Sequence, residues 1–192
     1  LTDSFTYTLS DGTATTTGTL SITLLGQDNE SPSASNNTNS VNEDASVTAS
    51  DGSTGTTGDV LTNDTDPEGD TLSVSKIKKN DGNFSNVSSG TTNSNGTSIT
   101  GTYGTLVIGA DGSYTYTADQ SAADDLDLND IATDTFVYTI TDSQGGTDTA
   151  NLVITVTGVN DDPVAVNDTD SVNEDATVTK TRSQDDVMDD DS

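Results

Sequence analysis

The 192-residue sequence predicts an all-β protein built from tandem antiparallel β-sandwich repeats with Greek-key connections, and three observations carry that expectation. Apolar residues alternate with Thr, Ser and Val at a period of two, and no segment reads as a convincing amphipathic helix. Asp-Gly and Gly-Gly pairs punctuate the alternating runs, as tight turns require. The chain also repeats itself: DSFTYTLSDG at 3–12 returns as DTFVYTITDS at 134–143, and SVNEDASVT at 40–48 returns as SVNEDATVT at 171–179, both at an offset of 131. Leu20 returns as Leu152, one residue further on, which one extra loop residue explains. A period of that length is one β-domain and far exceeds a solenoid unit.

Taken in order, the first 31 residues read as the last strands of one repeat and its linker, 32–162 as one whole repeat, and 163–192 as the opening of the next. DDVMDDDS at 185–192 aligns with GDVLTNDT at 58–65, so the sequence reads as a window on a longer array. Inside the whole repeat, Leu72, Val74 and Ile77 mark a strand, and 80–96 is a long polar loop with little to bury except Phe84. TLVIGADGSYTYT at 105–117 is a hairpin, with Leu106 and Ile108 on one arm, Tyr114 and Tyr116 on the other and Asp111-Gly112 at the turn. Phe136, Tyr138 and Ile140 form one half-buried strand, and Leu152, Ile154 and Val156 another.

Composition narrows the function. There are 33 acids against five Lys and Arg, no His and no Cys, for a formal net charge of -28. Nucleic acid is excluded as a partner, because phosphate binding needs a basic footprint. Nearly all the acids are Asp, whose short side chain caps turns and chelates hard cations from tight loops. The hydrophobic fraction is 28%, so the core is thin, and low hydrophobicity with high charge is also the signature of disorder; the strand periodicity argues against disorder here. The window contains neither an N-terminal export signal nor an apolar span long enough to cross a membrane. Without His or Cys, acid–base chemistry falls to a carboxylate pair, and the acids sit on predicted loops without the aromatics that line sugar clefts, so no enzyme is expected. Lys76, Lys78 and Lys79 read as a solvated strand edge that discourages aggregation.

DVLTNDTDPEGDTLSV, the block DTFVYTITDSQGGTDTANLVITVTGVNDDP and the VNEDA element together resemble the bacterial cadherin-like repeats, often called VCBS repeats, of large secreted or cell-surface adhesins. The resemblance covers the whole chain, with incomplete ends, and implies a cadherin/Ig-like sandwich with Ca2+ held between successive repeats. On that pattern Glu43 matches the first-strand Glu, Asp64 and Asp66 the Asp-x-Asp element, and Asn160, Asp161 and Asp162 the linker. The acid ahead of the sixth strand is Asp134, or Asp127 and Asp130 of DLDLND. The preceding linker, one residue longer, offers Asp28, Asn29 and Glu30, and Glu174 repeats Glu43 in the next unit. Glu68 and Asp70 read as turn residues. Calcium chemistry suits such a set, since the ion takes six to eight oxygens from carboxylates, amide carbonyls and kinked backbone.

The expected function is a calcium-stiffened spacer in an extracellular or cell-surface adhesin or surface filament, supporting adhesion or biofilm, whose partners are the neighbouring repeats. Two alternatives stand beside it. The 80–96 loop would read a host or surface glycan or protein, or intact repeats would assemble with like chains into a filament. The loop carries Phe84 but otherwise Ser, Thr, Asn and Gly, whereas recognition loops usually carry aromatic or Arg anchors.

Overall fold

The computed structural model describes residues 1–26, 28–50, 58–161, 165–167 and 169–179. Asp162 and the 185–192 segment lie outside the described residues. Strands β1 (Thr2–Ser10) and β2 (Thr15–Thr23) pair as a hairpin that forms a two-stranded sheet of its own. Then come β3 (Asn37–Asn42), β4 (Ser46–Ala49), β5 (Ser73–Lys79), β6 (Ser85–Asn86), β7 (Thr97–Thr100), β8 (Thr105–Ile108), β9 (Tyr114–Thr117), β10 (Ile131–Thr141) and β11 (Thr147–Thr157). They make a five-stranded sheet ordered β3-β11-β10-β5-β6 and a four-stranded sheet ordered β4-β9-β8-β7. A helical turn, α1 (Ser121–Asp124), has no counterpart in the sequence expectation; Ala122 and Ala123 favour it locally, and burial of Ala123 fixes it.

The alternation seen in the sequence is the burial pattern. Phe136, Tyr138, Ile140, Leu152 and Ile154 from one sheet and Leu106, Ile108 and Tyr116 from the other are all fully buried in one core. Each fully buried Leu, Ile or Phe side chain stabilises the fold by about 1.5–3 kcal/mol. Tyr116 and Phe136 meet across the sheets edge to face, with centroids 6.1 Å apart. Gly112, at φ 85°, closes the β8–β9 turn, and a Cβ there would stand 2.7 Å from the Leu61 side chain.

β3 is a largely polar strand, with Val41 its one core residue. Asn37 and Asn39 share Val41's face and donate to the buried tyrosines, Asn37 Nδ2 to Tyr138 Oη at 2.9 Å and Asn39 Nδ2 to Tyr114 Oη at 2.9 Å. β3 runs parallel to β11, from Asn37 opposite Leu152 to Asn42 opposite Thr157. That pairing sets the two ends of the sandwich. Residues 29–35 lie at one end, here called proximal, and Glu43 with 158–160 at the other, distal end.

The internal repeat holds at the level of strand register. Phe5 pairs with Leu20 as Phe136 pairs with Leu152, and Asp3 with Ile22 as Asp134 with Ile154. The extra residue lies in the connection, which runs from 142 to 146 in the second hairpin and from 11 to 14 in the first. Burial differs completely. Phe5, Tyr7, Leu9, Leu20 and Ile22 are 50–63% exposed, whereas their counterparts in β10 and β11 are at 0%. The VNEDA turn also recurs: Asp44 and Asp175 adopt φ 57° and 62°, and Ala45 N and Ala176 N bond back to Asn42 O and Asn173 O.

Candidate metal half-sites at the two ends of the sandwich

The proximal end gathers acids from three segments. Asp64 Oδ1 accepts from Ser35 N at 2.7 Å, and Tyr138 Oη, which donates to Ser35 O at 2.8 Å, stands 3.4 Å from Asp64 Oδ2. Burial pushes the Asp64 carboxyl above its ordinary range, the Ser35 and Tyr138 hydrogen bonds pull it down, and the charges of Asp148 and Asp59 push it up again. Asp66 Oδ1 accepts from Glu68 N at 3.0 Å and Asp70 N at 2.9 Å, closing the D-P-E-G-D turn, while Asp66 Oδ2 is buried without a hydrogen-bond partner. Glu68 and Asp70 serve this turn and its neighbours: Glu68 Oε2 accepts from Glu30 N at 3.3 Å and Asp70 Oδ2 from Gln144 Nε2 at 2.9 Å. Asp28, Asn29 and Glu30 are exposed at the same end.

At the distal end, Glu43 follows β3 and is 2% exposed. Its backbone N–H bonds Thr157 O at 3.0 Å, and its Oε1 accepts from Val159 N. Its Oε2 is buried with no hydrogen-bond partner. The Asp127–Asp130 turn packs beside it, with Asn129 N donating to Gly158 O at 3.0 Å and Gly158 N to Asp130 O at 2.9 Å. Asn160 and Asp161 are exposed, joined by Asn160 Nδ2 to Asp161 O at 2.9 Å. Glu174 is exposed on the recurring turn beyond.

Asp134 occupies a different setting from the other candidates. It is 2% exposed, between the sheets, with Oδ1 accepting from Thr102 N at 2.7 Å and Oδ2 from Tyr103 N at 3.0 Å, Gly104 N at 3.2 Å and Tyr116 Oη at 2.7 Å. A Cβ on Gly101 would stand 2.2 Å from that carboxylate, so the 101–104 turn wraps it at backbone distance. The carboxylate anchors a turn, and the acids that border the distal linker are Asp127 and Asp130. Asp142 and Asp148 were missed in the sequence reading although both bind the proximal linker: Asp142 Oδ2 accepts from Asn29 Nδ2 at 2.9 Å and Asp148 Oδ2 from Ala34 N at 2.8 Å. Asp142 has a signal in the sequence, the turn Asp-Ser-Gln-Gly-Gly that matches Asp11-Gly-Thr-Ala.

Among the described residues no three acids converge closely enough to enclose a metal ion. The candidates are instead split between the ends, each with one buried carboxylate oxygen left over, which suits Ca2+ shared with a neighbouring unit. The 80–96 segment, expected as a loop with only Phe84 to bury, instead contains β6, buries Val87 and leaves Phe84 45% exposed under Lys78 Nζ at 5.1 Å; Asn93 N bonds Ser113 Oγ at 2.8 Å and Ala110 N bonds Thr91 Oγ1 at 3.1 Å. The open cleft beside it, about 290 Å³, is lined by Leu72, Ser89, Thr91 and Ala110 among others and has no aromatic or Arg anchor.

A two-sheet sandwich with acid-rich ends has the architecture of the modular β-sandwich domains. The family model for the bacterial cadherin-like domain matches residues 29–158, and the chain belongs to that family. Its first matched residue, Asn29, is the first residue of the linker that bonds the sandwich. No curated protein matches the sequence. Cadherin-like domains generally bind Ca2+, their fold family is non-catalytic, and they are consistent with an adhesin-type structural repeat at the cell surface or outside the cell. No helix among the described residues is long and apolar enough to cross a membrane.

Proposed function

We propose that this chain is a calcium-stiffened spacer in a tandem array of an extracellular adhesin, each joint being formed by the distal end of one repeat, the linker and the proximal end of the next. The observation that carries the reading is the pair of buried oxygens, Glu43 Oε2 and Asp66 Oδ2, one at each end. A buried carboxylate oxygen without a donor costs about 1–3 kcal/mol or more, and a cation relieves that cost. Glu43, Asp127 or Asp130, Asn160, Asp161 and Asp162 would supply the distal half; Asp64, Asp66 and a preceding linker such as Asp28–Glu30 would supply the proximal half. Bound calcium would neutralise the facing carboxylates and so hold adjacent sandwiches at a fixed angle. The bare apolar face of the β1–β2 hairpin supports the tandem reading, because the same face on β10–β11 is buried by the rest of its repeat.

The test is a calcium titration of a chain spanning two whole repeats, following thermal midpoint and end-to-end length against chelator and against magnesium at matched ionic strength. At roughly a hundredfold excess over the dissociation constant one site stabilises by about 2.7 kcal/mol, and extracellular modules bind at about 10⁻⁴–10⁻³ M. Glu43→Gln should keep the fold and remove most of that gain. Equal responses to the two ions, or a Glu43→Gln chain that responds like the parent, would defeat the proposal.

A further inference from the structure

Each joint has two attachments, and the structure treats them differently. At the proximal end the linker meets its own repeat through direct hydrogen bonds between named groups. Asp142 ends β10 inside a nest of backbone donors, its Oδ1 accepting from Gln144 N at 2.8 Å, Gly145 N at 2.5 Å and Gly146 N at 2.8 Å. That arrangement aims Oδ2 at the Asn29 amide, 2.9 Å away, which must present its N–H₂ because a carboxylate only accepts. Pro32 is buried beside the turn: a Cβ on Gly146 would stand 2.3 Å from Asp142 Oδ2, 3.0 Å from Ser31 Cα and 3.1 Å from Pro32 Cδ. The next three residues are fixed by their backbones. Ser33 exchanges bonds of 2.8 and 3.0 Å with Thr65, Ala34 N reaches Asp148 at 2.8 Å, and Ser35 N reaches Asp64 at 2.7 Å.

We propose that this seat is a metal-independent latch: Asn29 and Pro32 fasten the linker to the repeat that follows it, and calcium governs only the attachment to the repeat behind. The proposal deepens the spacer reading and rests on taking 29–35 and 158–163 as successive linkers. Asn160 and Pro163 repeat Asn29 and Pro32 at the 131-residue offset, which makes Asn160 the latch for the next unit. Among the described residues the distal attachment is made differently. Past Gly158 the linker is tied by Val159 N to Glu43 Oε1, and the second oxygen of that carboxylate is the partnerless one. The Asp turn recurs in the β1–β2 hairpin, where Asp11 Oδ1 takes Thr13 N at 2.8 Å and Ala14 N at 2.7 Å, but Ala14 precedes Thr15 where Gly146 precedes Thr147, so the glycine that makes room for Pro32 belongs to the whole repeat. With calcium removed, the joint therefore bends over the few residues from Gly158 to Asn160 and not along the whole linker.

Amide hydrogen exchange on the 192-residue chain, in chelator and in excess calcium, tests this. In chelator the Ser33, Ala34 and Ser35 amides should stay protected. Asn29→Ala should speed their exchange by about ten- to a hundredfold, the loss expected for a hydrogen bond to a charged group. Gly146→Ala, whose backbone conformation alanine tolerates, should do the same by filling the Pro32 seat, while Phe136 and Leu152 amides exchange as in the parent. Free exchange of 33–35 in chelator with protection restored by calcium would overturn the latch and leave the spacer reading standing. Protection of 33–35 in chelator would support the latch, and the calcium response of a chain spanning two whole repeats then decides the spacer reading separately. Should either variant lose core protection, the other decides.

Discussion

Asp134 carries the sharpest prediction, because the resemblance to cadherin-like repeats makes it a candidate calcium ligand, beside Asp127 and Asp130, while its surroundings make it a turn anchor. Asp134→Ala removes the acceptor of four donors, of which Gly104 N and Tyr116 Oη are buried and Thr102 N and Tyr103 N part-buried. At about 1–2 kcal/mol for each buried donor and about half that for those water can reach, the loss comes to about 3–6 kcal/mol. For a domain of this size that lowers Tm by about 10–20 °C. Asp134→Asn keeps the shape but turns an amide N–H₂ toward donors, and should cost about 2–4 kcal/mol. Tyr116→Phe removes one donor and leaves three, at about 1–2 kcal/mol, and a double-mutant cycle with Asp134→Ala should show coupling of the same order. The assay is denaturant unfolding in chelator, so that no metal contributes. A loss below about 1 kcal/mol in chelator, joined to loss of the calcium response, would show that Asp134 works through the ion and that the turn tolerates its absence.

Three further outcomes follow from the same structure. Burial, first among the causes, pushes the Tyr114, Tyr116 and Tyr138 phenols above their ordinary pKa. A raised folded pKa contributes stability below the unfolded value near 10 that is lost as pH rises past it. Alkaline unfolding should therefore begin at about pH 10, with the 295 nm tyrosinate signal of these residues and the loss of circular dichroism in one transition; ionisation ahead of unfolding would contradict their burial. Asp64, raised by burial and by Asp148 and Asp59, gains protons on folding, so its charge opposes stability at neutral pH. Asp64→Asn should be neutral or stabilising by up to about 1 kcal/mol in chelator, yet should gain less from calcium, as paired titrations would show. Deleting residues 1–26 should leave the Tm of the sandwich within about 2 °C, because the hairpin's apolar side chains lie outside its core, and should lower binding of a hydrophobic dye.

The parts of the fold that were legible are those written in local pattern. Phe136, Tyr138 and Ile140 alternate, Asp111-Gly112 marks a turn, and the 131-residue offset carries down to the pairing of Phe5 with Leu20. β3 was hidden because Asn37 and Asn39 stand where a strand usually presents apolar residues, and their reason for doing so, the hydroxyls of Tyr138 and Tyr114, lies 101 and 75 residues away. The placing of the candidate site residues divides in the same way. Glu43 and the Asp64–Asp66 pair fall at the two ends as the repeat pattern implies, but nothing near Asp134 in sequence announces the backbone donors of 102–104.

The acids of this chain are therefore sorted by what their oxygens meet and not by how densely they cluster. Asp134 and Asp142 each accept from at least three backbone N–H groups, and those donors stabilise the carboxylate without any ion. For Asp142 the Asn29 amide, ahead of the turn amides, holds the carboxyl below its ordinary range although burial opposes it. Glu43 and Asp66 each spend one oxygen on backbone donors and keep the other buried and partnerless. The filled acids shape the repeat and seat its linker in any medium, while the half-filled ones sit where the next or previous unit would bring more oxygens. On the proposed function, a joint made this way would hold its linker on one side with or without calcium, and would leave to the calcium level only the residues on which its angle depends.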